Sequence, residues 1–598
     1  MKMRVADYIA EYLVSHGISD IFTVVGGGAM YLNDAFGHKA GLHCTYNHHE
    51  QASAIAAEAY ARVNNKIAVV CVTSGPGAIN ALNGVAGAYM DSIPMLVISG
   101  QTKSTLTVKH SGLKLRTLGN QEFDIIGAVS GMTKYCEMLE EPRRIKFCLD
   151  KALYTAVNGR PGTCWVDIPL DIQGSYIETD NLSSFQYNEK CDTDDFVDWD
   201  KIREKIKEAK RPVLYGGNAI RISGGYGIFR KLTEELQIPV VTGWNSIDLL
   251  PTDSCLYVGR AGIMGDRAGN FAVQNSDLLI SLGSRLNIYQ VGYDVNTWAR
   301  EAFVIAVDID REELKKPTIR VDMPVCYDIK SFMEEMLQKV GKDIEPKKEW
   351  ISQCRLWKQK YPVVQSKHYE NSEKCNVYAF INELSKAIPK GMNTVVANGS
   401  ASVVGSQAYI IKENQRFIMN CALSSMGYEL PAAIGVCIAD EKKPLICIAG
   451  DGSIQMNLQE LQTIITNKLP IKIYVINNQG YHQIRLTQRN VFGGRKPVGI
   501  GPESQDLSFP DMEKLAWAYG YKYFSCGSND KLEDFIKATL DYNGPLIAEV
   551  FTDTEQIYEP KSATKKLEDG TLVSPPLEDL APFLPREELE KNMYIKMV

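Results

Sequence analysis

Short apolar runs alternate with segments of helical periodicity from Val5 to about Ile177: IFTVV (21–25), IAVVCVT (67–73), MLVISG (95–100) and CWVDIP (164–169). Such runs fit strands buried on both faces, and their alternation with helical segments predicts βαβ units and a parallel sheet. The same rhythm returns twice. PVLYGG (212–217), IPVVTG (238–243), DLLISLGSR (277–285) and FVIAVDID (303–310) predict a second sheet. TVVANGS (394–400), PLICIAGDGS (444–453), IKIYVINN (471–478) and PLIAEVFTD (545–553) predict a third. The expected fold class is α/β, with three doubly wound parallel-sheet domains at 1–177, 200–335 and 377–555. The polar, acidic stretch Glu178–Trp199 reads as a linker and Lys339–Asn376 as a partly helical connector. Residues 556–598, with several prolines and little apolar period, read as a tail or lid over the body.

Composition narrows the class. Of 598 residues, 65 are Lys or Arg and 72 are Asp or Glu, a net charge of −7. With no dense basic block, nucleic acid is not an expected partner. No run approaches the roughly 18 apolar residues of a membrane span. The first residues, MKMRVADYIAEYLVSHG, read as an amphipathic helix rather than a secretory leader. The 14 cysteines are scattered singly without a CxxC pair, which fits reduced thiols in a cytoplasmic protein rather than a disulfide frame or a zinc site.

The strongest chemical signal lies in the third unit. LICIA runs into Gly450-Asp451-Gly452-Ser453, the helical stretch NLQELQTIITNK follows, and IKIYVI ends at Asn477-Asn478. One strand–helix–strand crossover separates Asp451 from Asn478, so both should emerge at the carboxyl edge of the sheet, where ligands bind. A carboxylate and an amide oxygen there suit Mg²⁺, a hard cation that keeps positions for phosphate oxygens. The glycines flanking Asp451 let a diphosphate approach the backbone. A lone GDG is an ordinary turn; the Asn pair one crossover later turns it into a candidate site.

This arrangement resembles the thiamin diphosphate motif of the pyruvate decarboxylase and acetolactate synthase superfamily. The resemblance implies Asp451, Asn478 and the backbone carbonyl of Gly480 as Mg²⁺ ligands. It implies Gly450, Gly452 and Ser453, with Gly399, Ser400 and Ser402, as cofactor-binding residues. In YNHHEQASAIAAEAYARV (46–63), Glu50 starts a helix after a short strand. Alone it would merely complement the helix dipole. The matching family glutamate hydrogen-bonds the cofactor's pyrimidine nitrogen, which a carboxylate holds protonated in a mostly dry site. VTSGPGAINALNGVAGAYMDSIPMLVISGQ (72–101) and SSMGYELPAAIGV (424–436) resemble the acetolactate synthase group. There Met426 matches an apolar residue that props thiamin into its bent shape, Gly27 a glycine near the reacting carbonyl, and Gln121 the active-site glutamine. The residues themselves leave other readings open: a core methionine, a plain glycine turn in which Gly26 and Gly27 are not separated, and a surface glutamine.

The resemblance implies decarboxylation of pyruvate and transfer of its two-carbon hydroxyethyl unit to an acceptor carbonyl. It also implies a homodimer or homotetramer in which Glu50 of one subunit meets the metal motif of another. Decarboxylation of a 2-keto acid without carboligation is the alternative, and the need for a regulatory subunit stays open. FAD is implied in the central domain, where YGGNAI (215–220), GRAGIMGD (259–266) and Arg285 match its contacts. Three positions depart from the family pattern. Thr487 stands in place of a tryptophan, Tyr289 in place of a second arginine, and Asn120 in place of a phenylalanine. Tyrosine does not reproduce the paired hydrogen bonds of an arginine to a carboxylate. With Gln483 these positions form the expected substrate pocket. The expected acceptor is a 2-keto acid or, being larger and more hydroxylated than pyruvate, a keto-sugar.

Overall fold

A computed structural model describes every residue except 188–194, 342–343, 371–372 and 567–570, so parts of the expected linker, connector and tail lie outside the described residues. Its frame is three parallel sheets of six strands each. The N-terminal sheet runs, edge to edge, His43–Tyr46, Asp20–Thr23, Ala68–Val72, Met95–Gln101, Thr163–Pro169, Tyr135–Met138. The C-terminal sheet repeats that wiring with Phe417–Ile418, Thr394–Val396, Leu445–Gly450, Ile471–Asn477, Leu546–Phe551 and Lys522–Cys526. The central sheet differs: Tyr257–Arg260, Val240–Thr242, Pro212–Gly216, Leu278–Leu282, Phe303–Asp308, Met323–Cys326, the strand order of dinucleotide-binding folds.

The twelve apolar runs of the sequence are the four inner strands of each sheet. Covered by helices on both faces, these strands are buried almost throughout, which is why they read as continuous runs. The outer strands are short and several are half-exposed, as in His43–Tyr46 and Lys522–Cys526, and so carry no apolar run. The N-terminal helix spans Val5–Ser15, and the connector contains the helix Lys348–Lys360. Among the described residues no helix is long and apolar enough to cross a membrane. The thirteen described cysteines are free thiols.

The N- and C-terminal units join through two small-residue helices, Glu50–Asn64 and Glu429–Ala439. They approach so closely that a Cβ on Gly435 would lie 1.9 Å from the Ala56 carbonyl oxygen. Polar pairs finish the seam. Tyr428 donates to Glu58 (2.8 Å), and buried Arg62 meets Glu58 and also Asp91 (2.8 Å). Removing one partner of such a buried set costs about 3–5 kcal/mol. Nearer the site, buried Glu460 accepts from the Asn47 amide (2.9 Å) and the His48 N–H (3.0 Å), fixing the turn that leads into Glu50. The tail packs against the central unit: Trp357 donates to Asn592 (2.8 Å), Gln274 to Glu578 (2.6 Å), and Arg267 to the Leu580 carbonyl (3.1 Å).

Candidate active site

In the C-terminal sheet Gly450 pairs with Ile476, so Asp451 and Asn478 leave two neighbouring strands side by side. The Asp451 carboxyl is 4 % exposed and accepts from Gly452 N–H (2.9 Å) and Gly480 N–H (2.8 Å). Burial pushes it up to about 7, against the downward pull of those two N–H groups. Asn478 donates to Ser400 Oγ (3.1 Å), while its buried Oδ1 has no hydrogen-bond partner. An unmet buried acceptor costs about 1–3 kcal/mol. A raised carboxyl, an orphan amide oxygen and the Gly480 carbonyl on the same short loop are the all-oxygen donor set of a hard divalent cation, so these residues fit Mg²⁺. Only glycine serves at 480, where φ is +121° and a Cβ would lie 1.9 Å from the Ile500 carbonyl oxygen.

The neighbouring turn supplies room for an anion. Gly399 (φ +64°) has open space where a Cβ would project, and the helix Ser400–Ala408 starts immediately after it. Ser400 Oγ lies 2.9 Å from the Tyr558 hydroxyl, and Ser402 Oγ donates to the Gly399 carbonyl (3.1 Å). The Ser453 hydroxyl is committed inward, donating to Glu429 and accepting from Gly427 N–H, both at 2.9 Å. Gly450 and Gly452 flank Asp451 in the turn, and Met426 is half-exposed just before Gly427.

A second cluster forms at the corresponding edge of the N-terminal sheet, around the turn Thr73–Gly77. Glu50 begins its helix there, buried, with Asn80 donating to Oε2 (3.0 Å) and Oε1 facing Gly77, whose missing side chain leaves it room. Gly26 and Gly28 press against Thr73 and Ser74, whereas a Cβ on Gly27 would meet nothing within 4 Å. The structure thus distinguishes Gly27 as the open member of the triplet. The Gln121 carbonyl sits against Gly75, and Gln121 itself holds φ +55°. Asn120 and Gln121 are both exposed.

Between the three units lies a cavity of about 240 Å³ whose wall includes Gly399, Ser402, Gln483, Arg285 and Tyr289. It opens at the point where the central strand order reverses, where Gly217 and Gly283 approach so closely that a Cβ on Gly217 would lie 2.0 Å from the Gly283 oxygen. Arg285 donates to the Met90 carbonyl (3.0 Å), and the Tyr289 ring lies tilted on Trp244 with centroids 5.9 Å apart. Burial pushes Asp308, also on this wall, up to about 6. Thr487 lies one helical turn beyond Gln483 and donates to its carbonyl (3.0 Å). The cavity wall does not include Asn120, Gln121 or Thr487.

Comparison with known sequences decides the family. Three family models match: the thiamine pyrophosphate enzyme N-terminal TPP binding domain over 3–125, the central domain over 199–336, and the C-terminal TPP binding domain over 397–550. The chain is 31% identical over 566 residues to the acetolactate synthase large subunit of Buchnera aphidicola from Schizaphis graminum, covering 92% of this chain and 95% of that one. It is 29% identical over 568 residues to acetolactate synthase isozyme 3 large subunit of Escherichia coli, covering 92% and 96%. The Lactococcus lactis large subunit is 31% identical over 555 residues, covering 92% of each chain. The chain belongs to the acetolactate synthase-like thiamine pyrophosphate enzymes.

Three further side chains of this thiamine pyrophosphate enzyme pack on these turns, and two of them, Arg485 and Tyr558, lie outside the motifs. Fully buried Arg485 donates to the carbonyls of Asn478 (3.0 Å) and Gln479 (2.8 Å) and to Glu503 (2.8 Å), clamping the Asn478–Gly480 loop from behind. It shares the inner face of the helix His482–Phe492 with buried His482, and a polar inner face gives no apolar period to read. Glu429, pushed up to about 7 by burial, keeps Oε1 without a partner beside Ser453. Tyr558 reaches Ser400 from beyond the last strand of the C-terminal sheet, in the segment expected to be tail.

Proposed function

We propose that this enzyme decarboxylates pyruvate with thiamin diphosphate and Mg²⁺ and passes the two-carbon unit to an acceptor carbonyl larger and more hydroxylated than pyruvate, a keto-sugar. When bound, thiamin diphosphate supplies the nucleophilic carbon and the electron sink that make decarboxylation possible. Asp451, Asn478 and the Gly480 carbonyl hold the cation. The open turn at Gly399, with Ser400, Gly450 and Gly452, receives the diphosphate. Glu50 holds a proton at the pyrimidine nitrogen, kept in place by Asn80 and given room by Gly77. Gly27 and Gln121 lie at the same edge, where a backbone N–H and an amide steady developing charge. Met426 supports the bent cofactor. The two halves of the site come from different subunits, so the working form is at least a homodimer.

The observation that carries the acceptor reading is the cavity wall. Its one family-matched guanidinium, Arg285, bonds the Met90 carbonyl, and Tyr289 lies on Trp244 where the family has a second arginine. Arg160, also on the wall, is held by Asp310 (2.9 Å) and Glu313 (2.8 Å), so what the wall offers is hydroxyl and amide groups rather than a two-point grip on a carboxylate. The test is product analysis by mass spectrometry with purified protein, thiamin diphosphate, Mg²⁺ and pyruvate, with and without keto-sugars. The expected result is little 2-acetolactate and carbon dioxide release that accelerates when a keto-sugar is added. Rapid 2-acetolactate formation from pyruvate alone would overturn the acceptor assignment, and acetaldehyde as sole product in every case would make the enzyme a plain decarboxylase.

A further inference from the structure

A second and larger cavity, about 440 Å³, lies between the central and C-terminal units, and none of the thiamin-site residues lines it. Its volume is that of a small-molecule site, roughly 300–1,000 Å³. Three cations stand on its wall, and one of them, the half-exposed Lys386, is paired with Glu383 (2.8 Å); Arg260 and Lys358 are the other two. Arg260, 6 % exposed, donates to the carbonyls of Gln407 (3.3 Å) and Tyr409 (2.7 Å), and its Nε has no partner. Lys358 donates to the carbonyls of Thr252 and Tyr257 (2.7 Å). Among the described residues neither forms an ion pair. Asp266, the one acidic side chain on the wall among the described residues, spends its oxygens on the backbone N–H groups of Gly269 (2.7 Å) and Arg260 (2.8 Å). Elsewhere buried Arg62 and Arg485 each meet a carboxylate side chain.

With Lys386 paired outward, Arg260 and Lys358 face one occupied carboxylate in a part-buried wall, which is costly without a counter-charge. Lys358 registers that cost: burial, together with neighbouring Arg260, holds it down to about 8. The rest of the lining combines the rings of Tyr257, Tyr361 and Tyr409 with the polar groups of Gln365, Ser366 and Asn382. We propose that this cavity is a second ligand site, taking a small metabolite that carries a phosphate or carboxylate at one end. The charged end meets Arg260 and Lys358, and the body lies among the tyrosines.

The site is wired to the cofactor. The Gln407 and Tyr409 carbonyls that Arg260 holds terminate the helix Ser400–Ala408, whose first residue bonds Asn478 and Tyr558. That nine-residue helix spans roughly 13 Å. A ligand that shifts its C-terminal end changes thiamin diphosphate affinity, and by reciprocity the cofactor changes the ligand's affinity.

The test uses the full-length holoenzyme, with thiamin diphosphate and Mg²⁺ in excess so that the diphosphate site is filled. Inorganic phosphate, glucose 6-phosphate and succinate are titrated separately by calorimetry and thermal unfolding; the first two arms report phosphate recognition, the third carboxylate. At least one probe is expected to bind and raise Tm. Lys358→Met should weaken that binding at least about tenfold while leaving the ligand-free Tm unchanged or higher, because an uncompensated charge is gone. A cavity-filling Val364→Trp should block binding with both cations intact, which keeps the test valid if the lysine variant folds poorly. No binding by any probe, or binding of undiminished strength in both variants, would overturn the proposal. So would a fall in ligand-free Tm in Lys358→Met with the ligand-induced shift retained, since that marks a purely structural lysine.

Discussion

The N-terminal and C-terminal sheets have the same strand order, and each places a glycine-bearing turn after the same inner strand, yet the two turns are built from different chemistry. At the C-terminal sheet the turn gathers buried oxygens with too few donors: Asp451 pushed up to about 7 and Asn478 Oδ1 without a partner. At the N-terminal sheet the turn is uncharged apart from Glu50, which already accepts from Asn80, and its neighbours Asn120 and Gln121 are exposed. Shared topology therefore sets where a ligand docks, while the local donor balance sets what kind of ligand it is. On the proposed function, one edge would take a cation and its phosphates, the other a nitrogen heterocycle.

Asp451→Asn tests the first half most severely. It should abolish Mg²⁺-dependent cofactor binding and lower turnover by roughly a thousandfold, about 4 kcal/mol, as followed by calorimetry and by activity after chelation and Mg²⁺ re-addition. Retained cofactor affinity would erase the contrast between the two turns. Glu50→Gln should do the reverse, leaving cofactor binding largely intact while turnover falls by about 10²–10⁴. A variant equally active would remove the pyrimidine role. Arg485→Met sharpens the comparison, because Arg485 holds the Asn478–Gly480 loop from behind and is itself held by Glu503. Metal affinity should drop by about 10–100-fold, with partial recovery in Arg485→Lys, read out as the Mg²⁺ concentration that half-saturates activity.

The smallest effect expected is on pH. In the cation-free protein the Asp451 carboxyl is raised to about 7 by burial. A proton must leave before a cation binds, so apparent Mg²⁺ affinity should fall roughly tenfold per pH unit below about 7 and level off above it. The same shift has the opposite sign for folding. Between about 4 and 7 the folded carboxyl keeps a proton that the unfolded one has lost, so its contribution to stability is present at low pH and is lost as pH rises to 7. Thermal unfolding of the cation-free protein at a series of pH values should show this trend in the parent and not in Asp451→Asn; identical profiles would exclude it.

Local pattern carried the inner strands and the GDG and NN turns, since a strand covered on both faces must be apolar and a crossover of set length must return to the same edge. Tertiary packing decided the rest. The outer strands are short and several are half-exposed, so they do not announce themselves, and Lys522–Cys526 finds its place only against Leu546–Phe551. Glu460 steadies the entrance to Glu50 across a separation of 413 residues, Tyr558 comes to Ser400 from beyond the last strand of the C-terminal sheet, and Arg485 is buried on a polar face no period could reveal. Charge balance is the extreme case. Whether Arg260 and Lys358 have carboxylate partners depends on every segment that packs around them, so their lack of an ion pair among the described residues belongs to the folded molecule and to no stretch of its sequence.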